Sequence, residues 1–312
     1  MQAHLAEHEW LEPITANPLL LTAMCIIYDE GKRLPQDKHD LYDRIIDTVL
    51  HGRYREPVAR DAARNRLGVI ALGMHTGEGL GEVRRTPQVE ATYAEIERML
   101  KTYQARSSWT EEGYLGAVET REDLLSNSGL LLSSGEKRAR FYHLSFQEFL
   151  AAQRILDLAD RSLLDVFRER APAPEWRNTL SLLFGRVLGT RVSPERGINL
   201  MRDMIGAISP EAVSLQLVAA DCIETLLAKG VRLSKDQESQ LREIFLQAMH
   251  SDAPAGDRAS LGNTLARLGD PRFHVDAWYL SEAVLKMGHS GVSRNPVYRS
   301  DDWTPAFAGV TM

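Results

Sequence analysis

The sequence predicts a mostly α protein: a helical domain, a winged-helix unit with a short β-hairpin, and then HEAT-like helical repeats. Three observations carry this. Apolar residues recur at helical spacing along most of the chain. Between residues 113 and 160 that spacing gives way to helix, hairpin, helix. Beyond residue 174, helical runs follow one another across short turns, as in a helix-pair solenoid. The boundaries fall at 1–110 for the helical domain, 111–170 for the winged helix, 171–280 for the repeats and 281–312 for an irregular or disordered tail.

Asn17-Pro18 supplies a cap and a proline start for a first helix, which Gly31 stops. Asp37 opens the next helix, with Leu41, Ile45, Ile46, Val49 and Leu50 as its apolar face. A third runs from about Val58 to His75, and a glycine-containing loop follows it. Thr86-Pro87 is read as the start of a fourth, through Tyr93, Ile96 and Leu100. The stretch from Tyr114 to Asn127 is helical and stops at Ser128-Gly129. Leu130 to Leu132 and Arg138 to His143 then pair as a hairpin around a turn containing Gly135. Ser145 and Glu148 form a capping box for the helix that carries Phe146, Phe149, Leu150 and Ile155. Ala171-Pro172-Ala173-Pro174 reads as a linker, and Ser193-Pro194 and Ser209-Pro210 as cap-plus-proline starts within the repeats.

The 312 residues carry a formal net charge of -6, with 44% hydrophobic and 26% charged residues. That balance argues against bulk affinity for nucleic acid or anionic membrane. Cys25 and Cys222 lie far apart in apolar helical contexts, as reduced core residues of a cytoplasmic protein would. There is no basic, then apolar leader, and the apolar run near Leu19 to Tyr28 is too short to span a membrane.

The densest stretch is F-Y-H-L-S-F-Q-E-F-L-A-A, residues 141 to 152. It places His143 just ahead of a helix N-terminus, where backbone donors and the helix dipole favour an anion. The plainer alternative is that His143 fills a strand-end contact or bonds a carbonyl. Lys137, Arg138 and Arg140 make a basic hairpin tip, with Arg121 nearby in sequence. A DNA-binding wing would use such cations on phosphates. However, the helix from Ser145 to Asp160 has Arg154 against Glu148, Asp157 and Asp160, so groove recognition is not expected. Asp40, Asp43 and Asp47 beside Arg44 read as a solvated face, and the five scattered tryptophans as core. His4, His8 and Glu9 lack the zincin arrangement, so neither a catalytic nor a metal site is expected.

Three segments together resemble bacterial NACHT-type signalling NTPases of the STAND class, relatives of NOD-like receptors. The first is N-P-L-L-L-T-A-M-C-I-I-Y-D-E-G-K-R-L-P at 17–35, followed by L-Y-D-R-I-I-D at 41–47. The second is the residue 141–152 motif. The third is R-A-S-L-G-N-T-L-A-R-L-G-D-P-R-F-H-V-D-A-W-Y-L at 258–280, similar to a repeat end and connector. The resemblance implies that His143 touches the nucleotide β-phosphate in a closed state. It also implies that Pro18 packs against the adenine, although a plain helix-starting proline explains Pro18 equally well. ATP or ADP with Mg is implied for the intact family protein, with none bound by this chain alone.

A phosphate-binding G-x-x-x-x-G-K-[ST] loop is absent from the sequence, and only sixteen residues precede Asn17. The last residues resemble a translated bacterial intergenic repeat element. The expectation is a fragment lacking the NTPase core: the regulatory lid and sensor of a conflict or antiviral switch, not an enzyme on its own. Its expected partner is a protein or the missing core, with oligomerisation of the intact protein. The alternatives are a helical-repeat interaction module and a degenerate gene product without selected function.

Overall fold

Helix α1, Lys38–Arg53, begins where the sequence places it: the Asp37 carboxylate accepts the Asp40 N–H at 2.7 Å as a side-chain cap. The computed structural model describes residues 37–106, 116–157, 162–189, 194–209 and 212–273, with residues 21, 22, 24, 25, 28 and 35. Pro57 opens α2, Pro57–Thr76, and Gly77 closes it in the left-handed conformation that spares a Cβ clash.

Strand β1, Ala91–Thr92, follows, and α3, Tyr93–Arg106, starts directly after it. The helix expected from Thr86-Pro87 therefore begins later. Thr92 and Glu95 cap it reciprocally: the Thr92 N–H donates to Glu95 at 2.8 Å and the Glu95 N–H to the Thr92 hydroxyl at 3.2 Å. Helix α4 is Ala117–Asn127, and β2, Leu131–Gly135, and β3, Arg138–Phe141, form the hairpin. The two-residue turn puts Glu136 and Lys137 at φ 44 and 59, with a bulge before it near Gly135. The sheet is antiparallel with order β1-β3-β2, so it has three strands where the sequence showed two. Strand β1 precedes residue 111, so the sheet draws on both sides of the 110/111 boundary.

Helix α5, Leu144–Asp157, runs from the sheet into the centre of the molecule and packs on α2. The short α6, Leu163–Arg170, was not visible in the sequence. The stretch read as a linker is packed: Ala171 is buried, and a 3-10 turn at Pro174–Trp176 buries Trp176. Then come α7, Arg177–Leu188, α8, Glu195–Ala207, α9, Val213–Ala228, α10, Lys235–Met249, and α11, Ala255–Leu268. Pro194 immediately precedes α8, as its sequence signal suggests; α9 is described from Val213, and Pro210 lies outside the described residues. Helices α7, α9 and α11 lie side by side, with α8 and α10 packed against them.

One apolar core joins these parts. Ile46 of α1, Ile70 of α2, Phe149 and Leu150 of α5, and Leu183 and Phe184 of α7 are all buried within it. A Cβ on Gly185 would stand 2.8 Å from that of His39, so α1 and α7 approach closely there. Cys222 is buried and its thiol is pushed up by desolvation, but Cys25 is exposed, against the expectation for a core residue. The helices through Gly269 belong to one unit. Of the second unit, residues 270–273 are described, where Asp270 pairs with Arg272 at 2.5 Å.

Candidate functional site

Strand β3 delivers His143 to the start of α5. Leu144 is the first helical residue, so His143 occupies the cap position. The Ser145 N–H donates to His143 Nδ1 at 3.2 Å. The cap is therefore the imidazole, not the Ser145–Glu148 box read from the sequence. Ser145 lies inside the helix, where its hydroxyl is near the Tyr42 phenol. Glu148 faces inward and accepts from the Asn178 amide. An accepting Nδ1 places the ring proton on Nε2, which makes no hydrogen bond among the described residues. The ring stands edge-on to Phe146 with centroids 6.3 Å apart. Tyr142 and Leu144, on either side of His143 in the chain, are 55% and 44% exposed. Pro18 and Asn17 lie outside the described residues.

The inner face of α5 carries a polar load that the sequence did not reveal. His75 of α2 is fully buried. Its Nδ1 lies 3.1 Å from the Ala71 carbonyl and its Nε2 3.2 Å from the Thr179 hydroxyl of α7. A neutral ring satisfies both by donating from Nδ1 and accepting at Nε2. Burial holds its pKa down at about 4. The Gln147 amide, 3.2 Å from the same ring, donates to the Gln88 carbonyl at 2.8 Å. Gln88 belongs to a strap between α2 and β1, and two more strap carbonyls are held alongside. Arg170 donates to Arg84 O at 2.9 Å, and the Trp176 indole to Arg85 O at 2.8 Å. Trp176 also meets His75 edge-on, with centroids 5.3 Å apart.

A groove of about 620 Å³, lined mostly by polar and charged residue types, opens along α7, α9 and α11. The Lys38 ammonium bonds Asn178 there, and burial lowers its pKa. Two ion pairs cross the groove wall: Arg177 clamps Asp221 at 2.6 and 2.8 Å, and Arg267 pairs with Glu224. The acidic face of α1 is only partly solvated. Arg44 pairs with Asp40, but Asp43 and Asp47 both hold Arg64 from α2.

On the hairpin, Lys137, Arg138 and Arg140 are exposed and form no ion pair among the described residues. Arg121 does not join them: it is buried against Glu97 and Glu122 and lies over the Tyr93 ring. Among the described residues, no cluster of His, Cys, Asp and Glu is arranged to hold a metal ion. Nor is any helix among them long and apolar enough to cross a membrane.

The order α2, β1, α3, α4, β2, β3 is that of a winged helix, with α4 as the second helix of the helix-turn-helix pair. The family model for the winged helix-turn-helix domain C-terminal to NACHT matches residues 40–155. Residues 40–155 are a NACHT-associated winged-helix domain. The match runs from α1 almost to the end of α5 and includes His143, Gln147 and Glu148. No curated protein and no solved structure matches the chain. In this winged helix the groove-reading position falls to α4, not α5. Its exposed Glu119 and Glu122 present negative charge there, which opposes a DNA phosphate backbone.

Proposed function

We propose that this chain is a regulatory portion of a NACHT signalling NTPase, acting as lid and sensor. The family match supports a NACHT-associated regulatory role. The observation that carries the finer reading is the capping geometry at His143. With Nδ1 engaged by Ser145, Nε2–H is left as a donor beside the N-terminus of α5. A phosphate oxygen placed there meets a neutral N–H donor and the positive end of the helix dipole. The exposed Tyr142 and Leu144 give the surrounding surface an apolar rim against which an NTPase core can pack. In this reading the HEAT-like array senses a protein partner, and ADP with Mg belongs to the assembled switch. Pro18 would pack against the adenine. The cytoplasm is the setting this implies.

The site offers one imidazole among the described residues and the sequence has no G-x-x-x-x-G-K-[ST] loop, so the expectation for the chain alone is neither ATP turnover nor tight binding. The test is a titration with millimolar ADP followed through selectively labelled histidines. The reading requires the His143 resonance to move, and any accompanying response at the other labelled histidines to vanish in His143→Ala. A null titration at His143, or mutation-sensitive ATP turnover by the purified chain, would refute it.

A second reading, a helical-repeat interaction module, is favoured by the groove along α7, α9 and α11. Charge reversal at Asp221 and Glu224 should abolish partner capture in that case and leave the response at His143 intact. Separating the chain into halves near residue 165 is not a clean test, because α7 packs directly on α5.

A further inference from the structure

The first two turns of α5 carry four polar side chains that lead to different parts of the molecule. His143 caps the helix and keeps one donor free. Ser145 lies near Tyr42 of α1. Gln147 holds the strap at Gln88 and touches His75, which in turn meets Thr179. Glu148 accepts from Asn178, which accepts from Lys38 at the groove. Thr179 and Asn178 are adjacent residues of α7, the first helix of the array. One hydrogen-bonded path, Asn178 to Glu148, and one path of packed contact, Thr179 to His75 to Gln147, therefore run from one turn of α7 to the helix turn that starts at His143.

We propose that this helix start is a relay through which the helical array sets the position of His143, with the buried His75 as its pivot. Its functional meaning rests on the reading of His143 as a phosphate donor, but the coupling itself does not. The physical reason is the cost of leaving a buried polar group unpaired. A shift of α7 that parts Asn178 from Glu148 leaves polar atoms stranded unless α5 moves with it, and one that parts Thr179 from His75 does so unless α2, against which Gln147 of α5 packs at His75, moves too. The helix start is rigid, so movement of Gln147 and Glu148 carries the cap with it. The aromatic contacts run the same way: Phe146 and Phe149 both pack against Tyr42, with centroids 6.0 and 6.1 Å away. His75, Gln147, Thr179 and Asn178 are positioning residues in this scheme, and none touches a ligand.

The whole chain, with histidines selectively labelled, tests this without any nucleotide. Thr179→Val and Asn178→Leu alter α7 far along the path from His143. Ser181→Ala, on the same helix at the groove, is the control. The relay requires both α7 variants to displace the His143 Cε1–H resonance. They should also raise hydrogen exchange at the Ser145 amide by roughly tenfold. Thr179→Ser, which keeps the hydroxyl, should restore both readouts, and Ser181→Ala should change neither. Exchange protection in α9 and α11 reports whether a variant still folds. If Thr179→Val fails that check, Asn178→Leu and Thr179→Ser carry the test. Unchanged His143 and Ser145 signals in folded variants, with exchange rising only in the strap, would overturn the proposal. A chain whose His143 ignores ADP but answers to α7 would keep the relay and lose the phosphate reading.

Discussion

His143 and His75 both meet the first turns of α5, yet their surroundings ask different things of an imidazole. His143 is half-buried between exposed neighbours, and its ring does a local job by capping a helix. His75 has no exposure, sits against an indole and is satisfied by a backbone carbonyl and a hydroxyl from two different helices. The cap can take on a further partner at Nε2. The buried ring cannot, because each of its atoms is counted by a neighbour. The contrast explains how one helix start can present a donor outward while being held firmly from within.

The largest effect expected from breaking the inner region is at Trp176. Trp176→Ala removes a buried indole and the hydrogen bond to Arg85, and should cost about 3–5 kcal/mol in urea unfolding. A loss below about 1 kcal/mol would mean that the strap is not held as described.

Acid should come next. His75 and His39 are both pushed down to about 4 by burial, from an ordinary 6.5. The folded state then holds them neutral while the unfolded chain binds protons as pH falls below 6.5. Stability is therefore full above that value and declines as pH drops toward 4, by up to about 1.4 kcal/mol per pH unit for each ring. Urea midpoints between pH 7 and pH 4.5 measure the decline. His75→Phe should flatten part of it. Equal slopes in wild type and His75→Phe would contradict the buried, neutral assignment.

Smaller effects belong to the surface. His143→Ala forfeits one cap bond and should cost about 1 kcal/mol, and His143→Asn should recover most of it. Reversing Lys137, Arg138 and Arg140 to glutamate should change stability by less than about 0.5 kcal/mol, since these side chains are solvated and unpaired among the described residues. It should also leave DNA retention unchanged, because α4 presents acids where a duplex would need cations.

The outer region was the more legible of the two in the sequence. Helical spacing located α1, α2, α5 and the array, and the 141–152 motif pointed to the residue that ends up at a helix start with a free donor. Its cap differs because Ser145 and Glu148 satisfy the capping-box spacing, but the chain enters α5 two residues earlier, at His143. Thr92 and Glu95 show the reverse: a genuine Thr-x-x-Glu signal was passed over in favour of the nearby Thr86-Pro87. Strand β1 is two residues long, too short for any period to register, and exists only because β3 lies beside it. The inner region left no local trace. Nothing in the spacing of His75, Gln147 and Thr179 tells that α2, α5 and α7 converge, because the contacts join residues 72 and 104 positions apart. Asp43 and Asp47 looked solvated for the same reason, since their cation comes from the next helix.

The claim on which the rest depends is that His143 caps α5 through Nδ1 and keeps its proton on Nε2. Nitrogen-15 spectra of labelled histidine at neutral pH read the tautomer directly. The account requires an unprotonated Nδ1 and a protonated Nε2 at His143, with the Nδ1 signal changed when the helix start is disturbed. A proton on Nδ1 would contradict it, because the Ser145 amide would then have no acceptor and no donor would be left facing out.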